Sequence, residues 1–262
     1  MTSESLRTPT GKQQIPRPQI VRPGKPAPWA ELPSERRRPT LDDVRRVMAN
    51  APEPLRASTH GKVDRASAVL AALYGYGTST GYETGAGYET GTGSGTGEAH
   101  VVLTRRAQHL RSHRGEVSFP GGGQDPGEDL WFTALREARE EIALDSGSVT
   151  LIGELDHLRT MTSASHIVPY VGILPGRPEL LAAPDEVESV LHVSLSELLD
   201  LGVYREELWF LGGEDRPIFF FEIEGDTIWG ATAAMLRNLL SLVTGTFDPE
   251  DRPTPWANRI GT

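Results

Sequence analysis

The 262-residue sequence contains no cysteine. That excludes disulfides, thiolate metal sites and cysteine nucleophiles, so any catalysis must use carboxylates, His, Ser, Lys or a hard metal ion. Long hydrophobic runs are also missing. No apolar stretch approaches the roughly 18 residues of a membrane span, and the opening MTSESLRTPTGKQQ holds no hydrophobic run of signal type. These absences predict a cytoplasmic protein without a membrane partner. Positive charge is in deficit, with a formal net charge of -10, which argues against a nucleic-acid partner because such surfaces are usually basic. What is present is an ordinary globular composition. The 37% hydrophobic residues, taken with 28 glycines, reach the usual level of about 45–50%, enough for one large domain or two small ones.

Two biased stretches frame the chain. Residues 1–40 carry eight Lys or Arg against three Glu, and PRPQIVRPGKPAPW is proline-rich, so this segment is expected to be an extended, disordered arm. Residues 75–97 contain nine glycines and no aliphatic side chain larger than Ala. They read as a flexible insert between a helix and a strand, with no functional weight given to Tyr82 or Tyr88. The folded domain is expected over 41–245, followed by a polar tail, 246–262. Amphipathic patterning predicts helices at 41–49, 63–73, 129–143, 194–200 and 228–243. Strand-like runs fall at 100–104, 116–119, 149–155, 166–174 and 217–223. The interleaving predicts an α/β fold, a mixed sheet with helices on both faces.

The chemistry concentrates in FPGGGQDPGEDLWFTALREAREEIAL, residues 119–144. A helix from Trp131 to Ile142 puts Trp131, Ala134, Leu135, Ala138 and Ile142 on one apolar stripe. Glu137, Glu140 and Glu141 then share another face, with Arg136 and Arg139 partly relieving their repulsion. Such crowding is tolerable on a solvated helix, but it also suits a hard divalent cation ligated by oxygen, Mg²⁺ or Mn²⁺. The context upstream favours the cation. Pro120, Gly121, Gly122 and Gly123 form a turn whose backbone lets a phosphate approach closely, and Glu128 adds another acid at the start of the helix.

Written as spacing, Gly122, five residues, Glu128, seven residues and Arg136-Glu137-Ala138-Arg139-Glu140-Glu141-Ile142-Ala143-Leu144 resembles the Nudix box, G-x5-E-x7-R-E-U-x-E-E-x-G-U. One position departs, since Ala143 stands where the family has Gly, and the helix exit is expected to differ slightly there. Just upstream, Leu103-Thr104-Arg105-Arg106-Ala107, Arg111, Gly115 and Phe119-Pro120-Gly121-Gly122 match the further signature L-T-x-R-[SA]-x3-R-x3-G-x3-F-P-G-G. This resembles the coenzyme A diphosphatases of the Nudix superfamily.

The resemblance implies an α/β/α sandwich and metal-dependent hydrolysis of the diphosphate of coenzyme A or its thioesters, a small-molecule substrate. The products would be adenosine 3',5'-bisphosphate and 4'-phosphopantetheine or its acyl derivative. It implies Glu137 and Glu141 as principal metal ligands, Glu140 as a further ligand or local base, and Arg136 as a clamp on a box carboxylate. Glu128 would bind a metal or hold the loop. Arg106 and Arg111, at signature positions, would bind substrate phosphates beside Gly121 and Gly122, with Arg105 and Arg114 weaker candidates. Glu186 and Glu188, on an expected loop, are candidate general bases. His109 and His113 read as structural, and Trp229 as a core residue. Other Nudix substrates such as ADP-ribose or NADH, a non-catalytic module on the same scaffold, and the oligomeric state, a homodimer included, stay open.

Overall fold

The structure is a computed structural model, and it describes residues 13, 15–56, 66–77, 97–159 and 166–252. Their strands are β1 (Val21–Pro23), β2 (Ala66–Tyr76), β3 (Glu98–Arg106), β4 (Val117–Ser118), β5 (Gly121–Gly123), β6 (Thr150–Glu154), β7 (Leu158–Arg159), β8 (His166–Ile173), β9 (Val187–Ser194), β10 (Tyr204–Leu211), β11 (Glu214–Ile223) and β12 (Asp226–Trp229). The α-helices are α1 (Leu41–Met48), α2 (Leu130–Ile142), α3 (Leu195–Leu198) and α4 (Gly230–Thr244). Eight strands form a mixed sheet along β4-β3-β2-β8-β6, with β5 on β2, β7 on β8 and β9 on β3. Among the described residues only the β2–β8 pairing is parallel. The other four form an antiparallel sheet, β1-β10-β11-β12.

Side-chain alternation assigns each layer. Leu70, Ala72 and Tyr74 of β2 and Val168 and Tyr170 of β8 face Ala134, Ala138 and Ile142 of α2. The other parity, Ala71, Leu73, Val101, Leu103, Val171 and Ile173, enters a second core with α1, α4 and the inner face of the antiparallel sheet. Each local choice supports this arrangement. A Thr40–Asp43 capping box starts α1, and the side chain of Asp129 caps α2 through Trp131 N–H.

The helix expected over 63–73 is a correction. Its described part, from residue 66 on, is the central strand β2. The sequence ASAVLAALYGY is Ala-rich and suits a helix locally. However, a strand covered on both faces also reads as a continuous apolar run, and pairing with β3, β5 and β8 decides the outcome. The glycine insert therefore joins two strands, and its first residues, Gly75 and Tyr76, are paired with Ala99 and Glu98. Residues 78–96, including Tyr82 and Tyr88, lie outside the described residues.

The expectation of a disordered arm over residues 1–40 is corrected for its second half. β1 pairs with β10, and Trp29 is wholly buried against Tyr204 and Phe221. Burial of one large indole is enough to order a proline-rich strap whose composition alone reads as solvated. Residues 1–12 lie outside the described residues. The start of the expected C-terminal tail also packs, since Phe247 joins the large core and Asp251 pairs with Arg237 of α4.

Candidate active site

Helix α2 lies across β2 with its acidic face beside β5. Gly121, Gly122 and Gly123 pair with Val69, Ala68 and Ser67, and this close approach explains the glycines. A β-carbon on Gly121 would lie 2.4 Å from the carbonyl oxygen of Ala68, and one on Gly122 would lie 2.4 Å from the carboxyl carbon of Glu137. The glycines expected to form a turn are instead strand β5, pressed between the β2 backbone and the Glu137 carboxylate.

Arg136 organises the acids. Its Nε and Nη2 donate to the two oxygens of Glu128 at 2.9 and 3.1 Å. Its Nη1 donates to Glu137 at 2.9 Å and to Glu140 at 3.1 Å. Nη2 also donates to the carbonyl of Gly123 at 3.0 Å, tying the helix to the glycine turn. Glu128 further accepts from Thr133 Oγ1 at 2.7 Å and from the Asp125 N–H at 3.3 Å. The hydrogen bonds from Arg136, then Thr133, hold its carboxyl down to about 2. Both its oxygens are engaged, an arrangement suited to holding the loop, the second of the two roles weighed for it.

Glu141 is different. Its side chain is only 4% exposed and accepts one hydrogen bond, from Gly121 N–H at 3.2 Å. The nearest cation, Arg106 Nη1, stands 3.9 Å away. Burial pushes its carboxyl up to about 8, Glu137 and Glu186 add to the shift, and Gly121 and Arg106 oppose it. Glu137 is also raised by burial, against the pull of Arg136. Glu140 is 54% exposed at the rim.

A buried carboxylate without a close cation, beside a second half-buried one, is costly unless a positive charge joins it. Among the described residues no three acidic or imidazole groups are already gathered into a coordination shell. The donors are all oxygen, and the charge at Glu141 is only weakly met, so Glu141 with Glu137 beside it fits a hard divalent cation.

The signature arginines separate by strand parity. Arg105 points to the second sheet, where it forms a bidentate pair with buried Asp226 of β12. Arg106 faces α2, with its Nε buried and without an acceptor among the described residues. Arg111 and Arg114 lie on the exposed turn that follows. Glu188 is not on a loop as expected but in β9, at a bulge where Arg105 and Arg106 oppose Ser189 and Val187. It accepts from Gln108 and lies 4.0 Å from Arg105. Glu186, exposed just before β9, is the one of the two whose field reaches Glu137 and Glu141. His109 contacts the Asp185 carbonyl and His113 bonds Glu116, both structural. Trp229 stacks on Phe220 in a small cluster on the antiparallel sheet.

Thr133 and the Gly123 carbonyl were not among the expected site residues. The only sequence signal for Thr133 was its spacing, four residues before Glu137 and eight before Glu141, which puts a hydroxyl on the acidic face. Ala143 corrects the expectation of an altered helix exit. It adopts φ 55° and ψ 29°, the left-handed conformation that suits glycine, so the path is kept with a strained residue.

Fold and candidate site together define a mixed α/β domain that sets an acidic helix beside a run of glycines. The NUDIX domain profile matches residues 94–209. The chain is 37% identical over 148 residues to the uncharacterized Nudix hydrolase NudL of Yersinia pestis and to that of Yersinia pseudotuberculosis, covering 56% of this chain and 74% of each relative. The chain belongs to the Nudix hydrolase family, enzymes that cleave pyrophosphate bonds of nucleoside diphosphate derivatives and generally need divalent metal ions. Similar solved structures include the NUDIX domain of Shewanella oneidensis NrtR with ADP ribose, at 18% identity and TM-score 0.38 over 55% of this chain and 80% of that one. A MutT/nudix family protein from Enterococcus faecalis gives 16% identity and TM-score 0.40 over 72% and 63%. Among the described residues no helix is long and apolar enough to cross a membrane.

Proposed function

We propose that the chain hydrolyses the diphosphate linkage of coenzyme A or its thioesters, releasing adenosine 3',5'-bisphosphate and 4'-phosphopantetheine or its acyl form. The observation that carries this reading is Arg106. It stands at a position of the coenzyme A diphosphatase signature, beside the acidic helix, with its Nη1 3.9 Å from Glu141. A guanidinium set between the acidic helix and the glycines can meet phosphate oxygens through charge-assisted hydrogen bonds.

Glu137 and Glu141 would hold Mg²⁺ or Mn²⁺, with Glu140 at the rim as a further ligand or local base. When bound, such an ion neutralises diphosphate charge and lowers the pKa of a water. The protein does the rest. Gly121 and Gly122, without side chains, let the diphosphate approach the backbone, Arg106 orients its oxygens, and Arg111 reaches the outer phosphate. Arg136 and Glu128 fix the Glu137 rotamer and the turn so that the reacting groups are placed before substrate arrives. Glu186 is better placed than Glu188 to accept the proton of the attacking water, because Glu188 is occupied by Gln108 and Arg105.

Product analysis after incubation with coenzyme A and Mg²⁺ tests the reading, with rates on dephospho-coenzyme A, ADP-ribose and NADH alongside. Adenosine 3',5'-bisphosphate as product and a preference for coenzyme A are expected. Faster cleavage of ADP-ribose or NADH would replace this reading with the broader alternative.

A further inference from the structure

The strap ahead of α1 does more than cover the antiparallel sheet. β1 runs along β10 from Val21↔Trp209 to Pro23↔Glu207. Arg17 pairs with Glu207, which is almost wholly buried, and Ile15 packs on the Trp209–Phe220 cluster. The chain also reaches the first sheet. Buried Gln13 donates from Nε2 to the carbonyl oxygen of Gly115 at 2.8 Å, and Gly115 closes the turn that carries Arg111 and begins at Arg106.

The turn is closed at its base by backbone hydrogen bonds. Gly115 N–H donates to the Arg106 carbonyl at 3.1 Å, and Arg106 N–H donates to the Glu116 carbonyl at 2.9 Å. Gly115 has φ 63°, and a β-carbon there would lie 2.4 Å from Gln108 Nε2, so no other residue fits without strain. The loop before β9 supplies Glu186 O to Ala107 N–H and Asp185 O to His109. Residues 108, 109 and 111–114 are exposed. An exposed turn opens readily unless it is anchored. The Gln13 amide is two hydrogen bonds from the Arg106 carbonyl. Its Oε1 is buried without a partner among the described residues, so the amide is taken out of water for its donor alone.

We propose that Gln13 is a positioning residue for substrate: by anchoring Gly115 it holds the turn that presents Arg106 and Arg111 to the phosphate groups. This rests on the reading of those arginines as phosphate contacts. The anchor comes from a different sheet, through the strap, so the N-terminal segment and the antiparallel sheet become part of the binding apparatus. An amide that only orders the turn affects how well the arginines are aligned in the bound state. Glu137 and Glu141 keep their own hydrogen bonds, from Arg136 and Gly121, so its effect falls mainly on KM.

The test uses the full chain with Gln13→Ala and Gln13→Glu, the latter keeping the shape while removing the donor. Hydrogen exchange over residues 106–116 and substrate saturation kinetics are measured for each. Exchange in this turn is expected to rise about tenfold while β1 and β10 stay protected. KM is expected to rise about five- to tenfold with kcat within about twofold. Unchanged exchange in the turn, or a fall in kcat at constant KM, overturns the proposal. Kinetics are read on whichever of coenzyme A and ADP-ribose the wild type cleaves faster, so the wild-type preference judges the substrate reading separately. Exchange needs no substrate and decides the positioning role by itself.

Discussion

Replacing Ala143 with Gly should stabilise the protein, and the size of the effect follows from one dihedral pair. Ala143 ends α2 at φ 55°, ψ 29°, where the β-carbon crowds the following carbonyl at about 1–2 kcal/mol. Glycine removes that strain, but it gives the unfolded chain more freedom, which takes back about 0.4–1 kcal/mol. Ala143 is exposed, so no buried contact is lost. Its backbone bonds, Ala143 N–H to Arg139 O and Leu144 N–H to Ala138 O, survive the change. The net gain is about 0.5–1 kcal/mol, or roughly 1–4 °C in Tm for a chain of this size. Urea titration should show a higher midpoint with an unchanged slope. Turnover should stay within about twofold, because the methyl faces solvent two residues beyond Glu141. A midpoint equal to or below the wild type would refute the claim that strain is stored at this helix exit.

Glu141→Gln should lower turnover by on the order of 10³-fold, since removing the charge removes several kcal/mol of metal-dependent stabilisation. The variant should melt within a few degrees of the wild type because its amide oxygen still accepts from Gly121 N–H; activity near wild type at saturating Mg²⁺ would rule out Glu141 as a ligand. In Gly122→Ala the new methyl must displace the Glu137 carboxylate, and a misplacement of about 1 Å costs about 10²-fold in rate, to be measured as kcat with stability recorded in parallel. His192 bonds Tyr74 through Nδ1 at 2.9 Å, and burial first, then the nearby Arg177 and His100, lowers it to about 4. The unfolded chain therefore binds more protons than the folded one between about 6.5 and 4, so stability should be full above that window and fall as pH drops through it. Urea midpoints at pH 7.5 and 5 should lie closer together in His192→Gln than in the wild type, and an equal gap would dismiss His192 as a source of acid sensitivity.

The site was legible where chemistry dictates residue type at fixed spacing. Glu137, Glu140 and Glu141 do share a helix face, and Arg136 does pair with box carboxylates. The fold was legible where one face is buried and the other wet, as in α1 and α2. It was hidden where burial is two-sided. The run Ala66–Tyr76 carries apolar residues at both parities, and nothing local distinguishes a central strand from a buried helix. β10 was hidden for the opposite reason. Its REEL segment places Glu206 and Glu207 inside, and a strand with buried charges becomes visible only when the partners are known. For Glu207 they are Arg17, Arg205 and Trp209 Nε1, and Arg17 is far away in sequence.

That buried network sets Glu141 apart from the other buried acids, since its nearest cation among the described residues, Arg106, stands 3.9 Å away. Glu207 satisfies its charge through a basic strap residue and a neighbouring arginine, Asp226 through Arg105, and Asp251 through Lys25 and Arg237. The positive charge concentrated in residues 1–40 is therefore partly consumed in pinning the strap to the antiparallel sheet. Glu141 is the exception, held only by one backbone N–H with Arg106 at a distance. A buried carboxylate met so weakly would gain more from a bound divalent cation than the paired acids would. That is the condition under which metal and phosphate together gain most from binding there.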